Sequence, residues 1–512
     1  MMRHVWLALT VLVVGAWGSV PTDLDHQLMR GKQAIYRGYV DVAETIFARV
    51  IRSYPEYPHG YFNQAFLKLL YFSQDMTNDT LLSDLRRATE LTLAVARRYQ
   101  ETHPGNPDAS FHLGVSYGIY AIIAVLERDY LDAYRFARRA KGFLEKTVQL
   151  DSSYNDAYLG LGLFHYYVAL LPGVVRFFAD LLGFEGDRRK GIQEVVRTME
   201  YGHFLAEEAR FMYYFIRYFL EGYEELGANG FRLLSVEYPD NPVPHLVLGY
   251  HYRRTGYLEE AWATFQQAPE RLRHRLPQLI VIKYYNLAVL AFEMNRYEQA
   301  EHLFNQLAAL PLRKTRYYQA AIDFYRGLLA DLKMDHATAR QFYARIPDNK
   351  KTRFWFHNKR MLEKYPPDNF LADYFWALHL FNWRKFRQAH DYLQPVLQRL
   401  ENGAAPNNPN LPFLLRDLLA YSKVALGQID QGLSIYNTLI PQLKHMPDKY
   451  HRAWIQIHFA RCLRIAGQYG KALKVLKAIN PGNDTYTKVI LEREKFVVES
   501  TQNQEVPMYE EE

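Results

Sequence analysis

At 512 residues the chain is too long for one ordinary hydrophobic core. Its composition is 49% hydrophobic and 15% aromatic, with 40 Tyr and no long polar low-complexity tract, which fits a packed array of small units better than a disordered chain. A formal charge of +7 spread over this length hints only weakly at acidic partners, and a single cysteine, Cys462, excludes an intramolecular disulfide framework.

The N-terminus reads as an export signal. Arg3 and His4 precede an apolar run from Val5 to Val14, and Ala16-Trp17-Gly18 offers small residues where a signal peptidase cuts. The expected cut follows Gly18, with an uncleaved anchor as the alternative, since the run is short of the roughly 20 residues a span needs. No Cys follows the run, so no lipid anchor is expected at the junction. The body is therefore expected outside the inner membrane, in the periplasm or associated with the outer membrane, held by packing rather than disulfides.

Directly after it, Gly31, Gly38, Ala43, Phe47 and Pro55 fall at offsets that recur along the chain. The clearest copy is Gly249, Gly256, Ala261 and Phe265, a small residue on each of two helical runs, a Gly-Tyr turn between them and a large residue to fill the space. This is the helix–turn–helix pattern of a tetratricopeptide repeat, whose period is 34 residues. From Met76 to Pro107 the register weakens, although Leu81 to Arg98 keeps an amphipathic helical pattern. His103-Pro-Gly-Asn-Pro107 marks a loop.

The next helix, Asp108 to Leu126, contains Gly114-Val-Ser-Tyr-Gly118, a literal G-x-S-x-G. A nucleophile elbow needs a strand before its serine and a helix after it, and neither that context nor an acid–histidine pair follows. Small residues for close helix packing are the favoured reading, and Ser116 is not assigned as a nucleophile. A helix over Tyr130 to Leu150 follows.

The most unusual segment begins at Asn155. Gly162-Leu-Phe-His-Tyr-Tyr-Val-Ala-Leu-Leu-Pro172 is followed by Leu182-Gly-Phe-Glu-Gly-Asp-Arg188, with an extra apolar stretch, Val174 to Phe184, between them. His165, Pro172 and Arg176 interrupt any membrane span, leaving a buried insertion or an apolar face made by Phe177, Phe178, Leu181 and Leu182. These two strings resemble a family of eukaryotic tetratricopeptide proteins that includes tetratricopeptide repeat protein thirty-nine and the fungal inclusion-body clearance protein. The close match covers Asn155 to Gly191. The resemblance implies a non-enzymatic helical scaffold, linked in its relatives to lipid droplets and aggregate clearance. It supplies no catalytic residues, and the export signal departs from it.

Beyond Glu208 the repeats run more evenly, through Gly227 and Phe231, Ala288 and Phe304, Gly327 and Tyr343, Ala377 and Leu393, Ala420 and Tyr436, and Ala460 and Leu476. Lys350 to Pro367 reads as a basic, aromatic connection, Asn402 to Pro412 as a flexible loop, and Tyr486 to Val498 as a capping helix. The expected organisation is a signal at 1–18, hairpins at 19–154, a family-specific repeat with its insertion near 172–190 at 155–207, a second array at 208–499, and an acidic, disordered tail at 500–512. The fold class is an all-α, right-handed solenoid.

The histidine pairs His245/His251 and His379/His390 fall on different helix faces, and H-E-x-x-H is absent, so no metal and no cofactor is expected. The acidic doublets read as solvated surface, and the basic clusters are scattered, which argues against nucleic acid. Binding is instead expected on the concave faces of first helices, at Tyr166, Tyr167, Tyr250, Arg253, Arg254, Tyr285, Phe292, Tyr374, Phe381 and Arg464. Such a surface suits a protein or peptide, with glycan as an alternative. The competing reading for many of these side chains is plain packing between repeats. The alternative function is lipid or apolar-ligand binding, with peripheral membrane association, through the 171–184 insertion.

Overall fold

The computed structural model describes residues 20–170, 185–482 and 485–503. The export signal, the apolar insertion at 171–184 and the tail beyond 503 lie outside the described residues. Among the described residues there are 24 α-helices. The fold class is an all-α solenoid of helical hairpins, and its contacts divide into two compact units, Met1–Leu248 with Gln267–Ile280, and Gly249–Gln266 with Val281–Glu512.

In the first unit two hairpins are locked by a large side chain lying over a small residue. A Cβ on Gly31 would stand 2.3 Å from the Phe47 ring, so only glycine permits that crossing of Thr22–Tyr36 with Val40–Ser53. The longer pair Pro107–Glu127 and Tyr130–Leu150 uses Gly114 against Leu144 in the same way. Asp79–Thr102 runs for 24 residues, which accounts for the weakened register between Met76 and Pro107. The helices that flank the undescribed insertion, Ala157–Ala169 and Arg188–Tyr201, meet backbone to backbone, since a Cβ on Gly162 would lie 2.7 Å from the Gly191 carbonyl oxygen. Asp187 caps the second of them by accepting the Lys190 N–H.

The second unit repeats the device at Gly249 with Phe265 and Gly327 with Tyr343. Ala288, Ala377, Ala420 and their partners Phe304, Leu393 and Tyr436 are all fully buried. The hairpin turns adopt a left-handed residue, Gly256 or Gly427 in some repeats and Asn295, Met334 or Arg384 in others.

Two expectations are corrected here. Lys350 to Pro367 is not simply a connection, because Arg353–Lys364 is helical. Its Trp355 is buried against Phe324, an apolar anchor that rewards helix formation. The Asn402–Pro412 loop is tied down rather than free. The Asn407 N–H donates to Asp368 at 2.7 Å and its side-chain amide to the Pro366 carbonyl at 3.0 Å. The terminal helix is longer than expected, Thr485–Asn503, with Glu494 paired to Arg461 at 2.7 Å.

Candidate functional site

The structure separates the expected surface residues into different classes. Tyr166, Tyr285 and Phe292 are buried, which corrects their assignment to an open face. The Tyr166 hydroxyl donates to Glu221 at 2.6 Å, and Tyr285 and Phe292 pack edge-on against Tyr318 and Tyr325. Burial of these rings gains more than exposure would, because each can cover the next hairpin. Tyr374 and Phe381 are half-buried against the core, Phe381 at 5.0 Å from Tyr421. Arg253 is also corrected: its guanidinium donates to both Glu293 oxygens at 2.8 and 2.7 Å and to Asn286 at 3.2 Å. A fork held this way is a structural clamp. Arg254 and Arg464 are half-buried. Tyr167 and Tyr250 remain at the surface, 43% and 36% exposed.

Ser116 lies in the middle of Pro107–Glu127 and donates its hydroxyl to the His112 carbonyl at 2.7 Å. It is fully buried and sits on no strand-to-helix turn.

The same helix carries a group that histidine spacing did not reveal. Asn106 caps its N-terminus by accepting the Asp108 N–H, and Pro107 occupies the first turn. That start places Asp108 and His112 four residues apart on one buried face. His59, from the first turn of Pro58–Gln74, packs on them with its ring 4.2 Å from that of His112. All three side chains are buried, and their donor atoms lie within 4.8 Å of one another.

The Tyr154 hydroxyl donates to one Asp108 oxygen. The other oxygen faces Nε2 of His59 at 3.2 Å, but off the line of a hydrogen bond, and Nδ1 of His59 has no partner either. Nδ1 of His112 meets the Asp108 carbonyl oxygen at 2.8 Å. A carbonyl can only accept, so that nitrogen carries the proton and the lone pair of the neutral ring is on Nε2. Burial pushes His112 down to about 3, with His59 adding to the fall, so the ring is neutral. Burial alone would raise the Asp108 carboxyl, but His59, His112 and the Tyr154 hydroxyl hold it well below the usual carboxylate range.

Asp108 also lines a cavity of about 540 Å³. Its walls are the loop carrying His103 and Asn106, the turn Asp151–Asp156, and Tyr201, His203 and Phe204. Asp156 organises that last wall, accepting the Phe204 and Leu205 backbone N–H groups at 3.0 and 2.7 Å.

Residues 109–353 match the family model of Iml2/Tetratricopeptide repeat protein 39. The P58(IPK) TPR domain is 13% identical, covering 83% of this chain and 98% of that one at a TM-score of 0.20. A tetratricopeptide repeat protein from Parabacteroides merdae is 14% identical, covering 59% and 98% at 0.21. Yeast Tom70 is 10% identical, covering 94% and 96% at 0.26. No curated protein matches the chain. With its hairpins locked by rings over small residues and residues 109–353 matched by that model, the chain is a tetratricopeptide-type helical-hairpin protein similar to the Iml2/Tetratricopeptide repeat protein 39 family.

Proposed function

We propose that the chain is an exported, non-catalytic scaffold that holds a protein or peptide through exposed aromatic side chains on its first helices. The observation that supports this reading is the division among those aromatics. Most are consumed by packing, whereas Tyr167 and Tyr250 stay exposed although burial would favour them. Tyrosine combines a large rigid contact area with a polar tip, which suits a peptide partner.

A photo-crosslinking residue at position 250 tests the reading in native extract. A defined partner should crosslink there, and Tyr250→Ala in the otherwise unmodified chain should reduce its co-purification with no change in helicity. An identical partner set from both proteins would overturn it. Export is tested by sequencing the mature N-terminus, expected at Ser19; an intact Met1 would count against cleavage.

A second reading, contact with a membrane or another apolar ligand, is favoured by one specific feature. At the turn between Pro107–Glu127 and Tyr130–Leu150, the side chains of Ile122, Val125, Leu126, Tyr130 and Leu131 are all exposed. The helix that leads into this tip is long and apolar enough to cross a membrane, yet 67% of its apolar window is buried inside the fold. Flotation with anionic liposomes should carry the wild type upward and leave Val125→Asp/Leu131→Asp at the bottom. Equal behaviour of the two would remove this reading.

A further inference from the structure

The geometry points to a transition-metal site, of the zinc class, built by His59, Asp108 and His112 in the first unit. Three features carry it. The first is an orphaned ligand. Both ring nitrogens of His59 are buried without an aligned hydrogen bond, a destabilising situation unless something else satisfies the ring. The second is spacing. Two ligands of a tetrahedral ion bound at ~2.0–2.1 Å lie about 3.3 Å apart. Nε2 of His59 and the free oxygen of Asp108 already stand at 3.2 Å, off the line of a hydrogen bond. The third is the outer shell. His112 donates Nδ1–H to a backbone carbonyl, which leaves the lone pair of its neutral ring on Nε2, and Asp108 is oriented by the Tyr154 hydroxyl. Ligating histidines and carboxylates are held by such partners.

The donor set selects the ion. Two imidazoles with one carboxylate suit zinc and its first-row neighbours, whereas calcium and magnesium call for oxygen-rich sites. Three protein ligands leave one position open, and Asp108 is the ligand shared with the cavity lined by Tyr154 and Phe204. That cavity supplies an entry path as far as Asp108.

The Asp108→Asn variant retains the shape of the side chain and an acceptor for Tyr154, while removing the charged metal ligand. His59→Gln removes the orphaned ring. His203, exposed at the cavity rim and paired with Asp25 at 2.7 Å, is the control for adventitious binding. The experiment uses the full chain without a polyhistidine tag, stripped with EDTA and titrated with zinc chloride by calorimetry. Cobalt titration read by its visible ligand-field bands reports the geometry. The wild type and His203→Ala should each bind one zinc per chain with a raised melting temperature. Asp108→Asn and His59→Gln should bind about tenfold or more weakly. Should His59→Gln fail to give a folded protein by circular dichroism in EDTA, Asp108→Asn decides alone. Less than one zinc in the wild type, binding unchanged in Asp108→Asn, or binding lost only in His203→Ala would each overturn the assignment.

Discussion

Asp108 in the first unit and Asp417 in the second begin from the same chemistry and reach different ends. Each is a buried carboxylate within a helix, and each accepts a tyrosine hydroxyl, from Tyr154 and from Tyr436. At Asp417 the second oxygen accepts Nδ1–H of His458 at 2.8 Å. Asp331 follows that pattern, with Tyr343 at 2.8 Å and His336 at 2.9 Å. In those two clusters every acceptor facing the group has a donor, so the polar atoms specify packing and nothing more is required of them. At Asp108 the histidine is present, close and misaligned, and a second imidazole lies beside it. The difference between a satisfied and an orphaned histidine is what separates a structural triplet from a ligand site.

The strongest way to break this comparison is to replace each carboxylate by its amide. Asp417→Asn puts an N–H₂ group against either the Tyr436 hydroxyl or the His458 N–H, leaving a buried donor unpaired. The expected loss is about 2–4 kcal/mol of unfolding free energy. Asp108→Asn keeps an acceptor for Tyr154 and turns its new donor toward His59, whose ring makes no aligned hydrogen bond. In EDTA it should cost less than Asp417→Asn does. Urea denaturation of the two variants reads the difference. If Asp108→Asn is the more damaging, the cluster is already satisfied and the comparison fails.

A smaller effect sharpens the same point through pH. His379, in the second unit, is buried and neutral, with Nδ1 at 2.6 Å from the Asn295 side-chain oxygen. Burial pushes it from 6.5 to about 3. The folded value lies below the unfolded one, so on acidification the unfolded chain takes up the proton first. The stability this ring contributes is full above pH 6.5 and is lost as the pH falls toward 3. By pH 5.5 the loss is expected to be about 1–2 kcal/mol. His379→Gln should flatten that part of a urea-midpoint profile, and an unchanged slope would show that the ring takes up its proton in the folded state.

Much of the scaffold was legible because it is written in local spacing. The helix Tyr130–Leu150 has the bounds its pattern predicts, and the interlock of Gly249 with Phe265 follows from the offset of a small and a large residue. Periodicity identifies the inward face of a helix, but it does not say which neighbouring hairpin will cover that face. Tyr166, Tyr285 and Phe292 therefore looked like surface residues, as did Arg253, whose clamp on Glu293 is forty residues away in sequence. The Asp108 cluster was hidden for a related reason. Asp108 and His112 are a readable pair at helical spacing, but their third member comes from the helix Pro58–Gln74, on the far side of the long helix Asp79–Thr102 in sequence. A search for histidine pairs passes over them.

The smallest expected effect lies within the G-x-S-x-G string itself. Gly114 and Gly118 are one helical turn apart and would be equally important in a nucleophile elbow. In this helix they differ. A Cβ on Gly114 would press to 2.8 Å on Leu144, whereas a Cβ on Gly118 would meet nothing within 4 Å. Gly114→Ala should therefore cost about 1–2 kcal/mol through overpacking. Gly118→Ala should stabilise the protein by about 0.5–1 kcal/mol, because alanine restricts the unfolded chain and fits a helix interior. Thermal melts of the two variants should move in opposite directions. Equal losses would mean that Gly118 is held against something the packing of this unit does not explain, and the purely structural reading of the motif would fall with it.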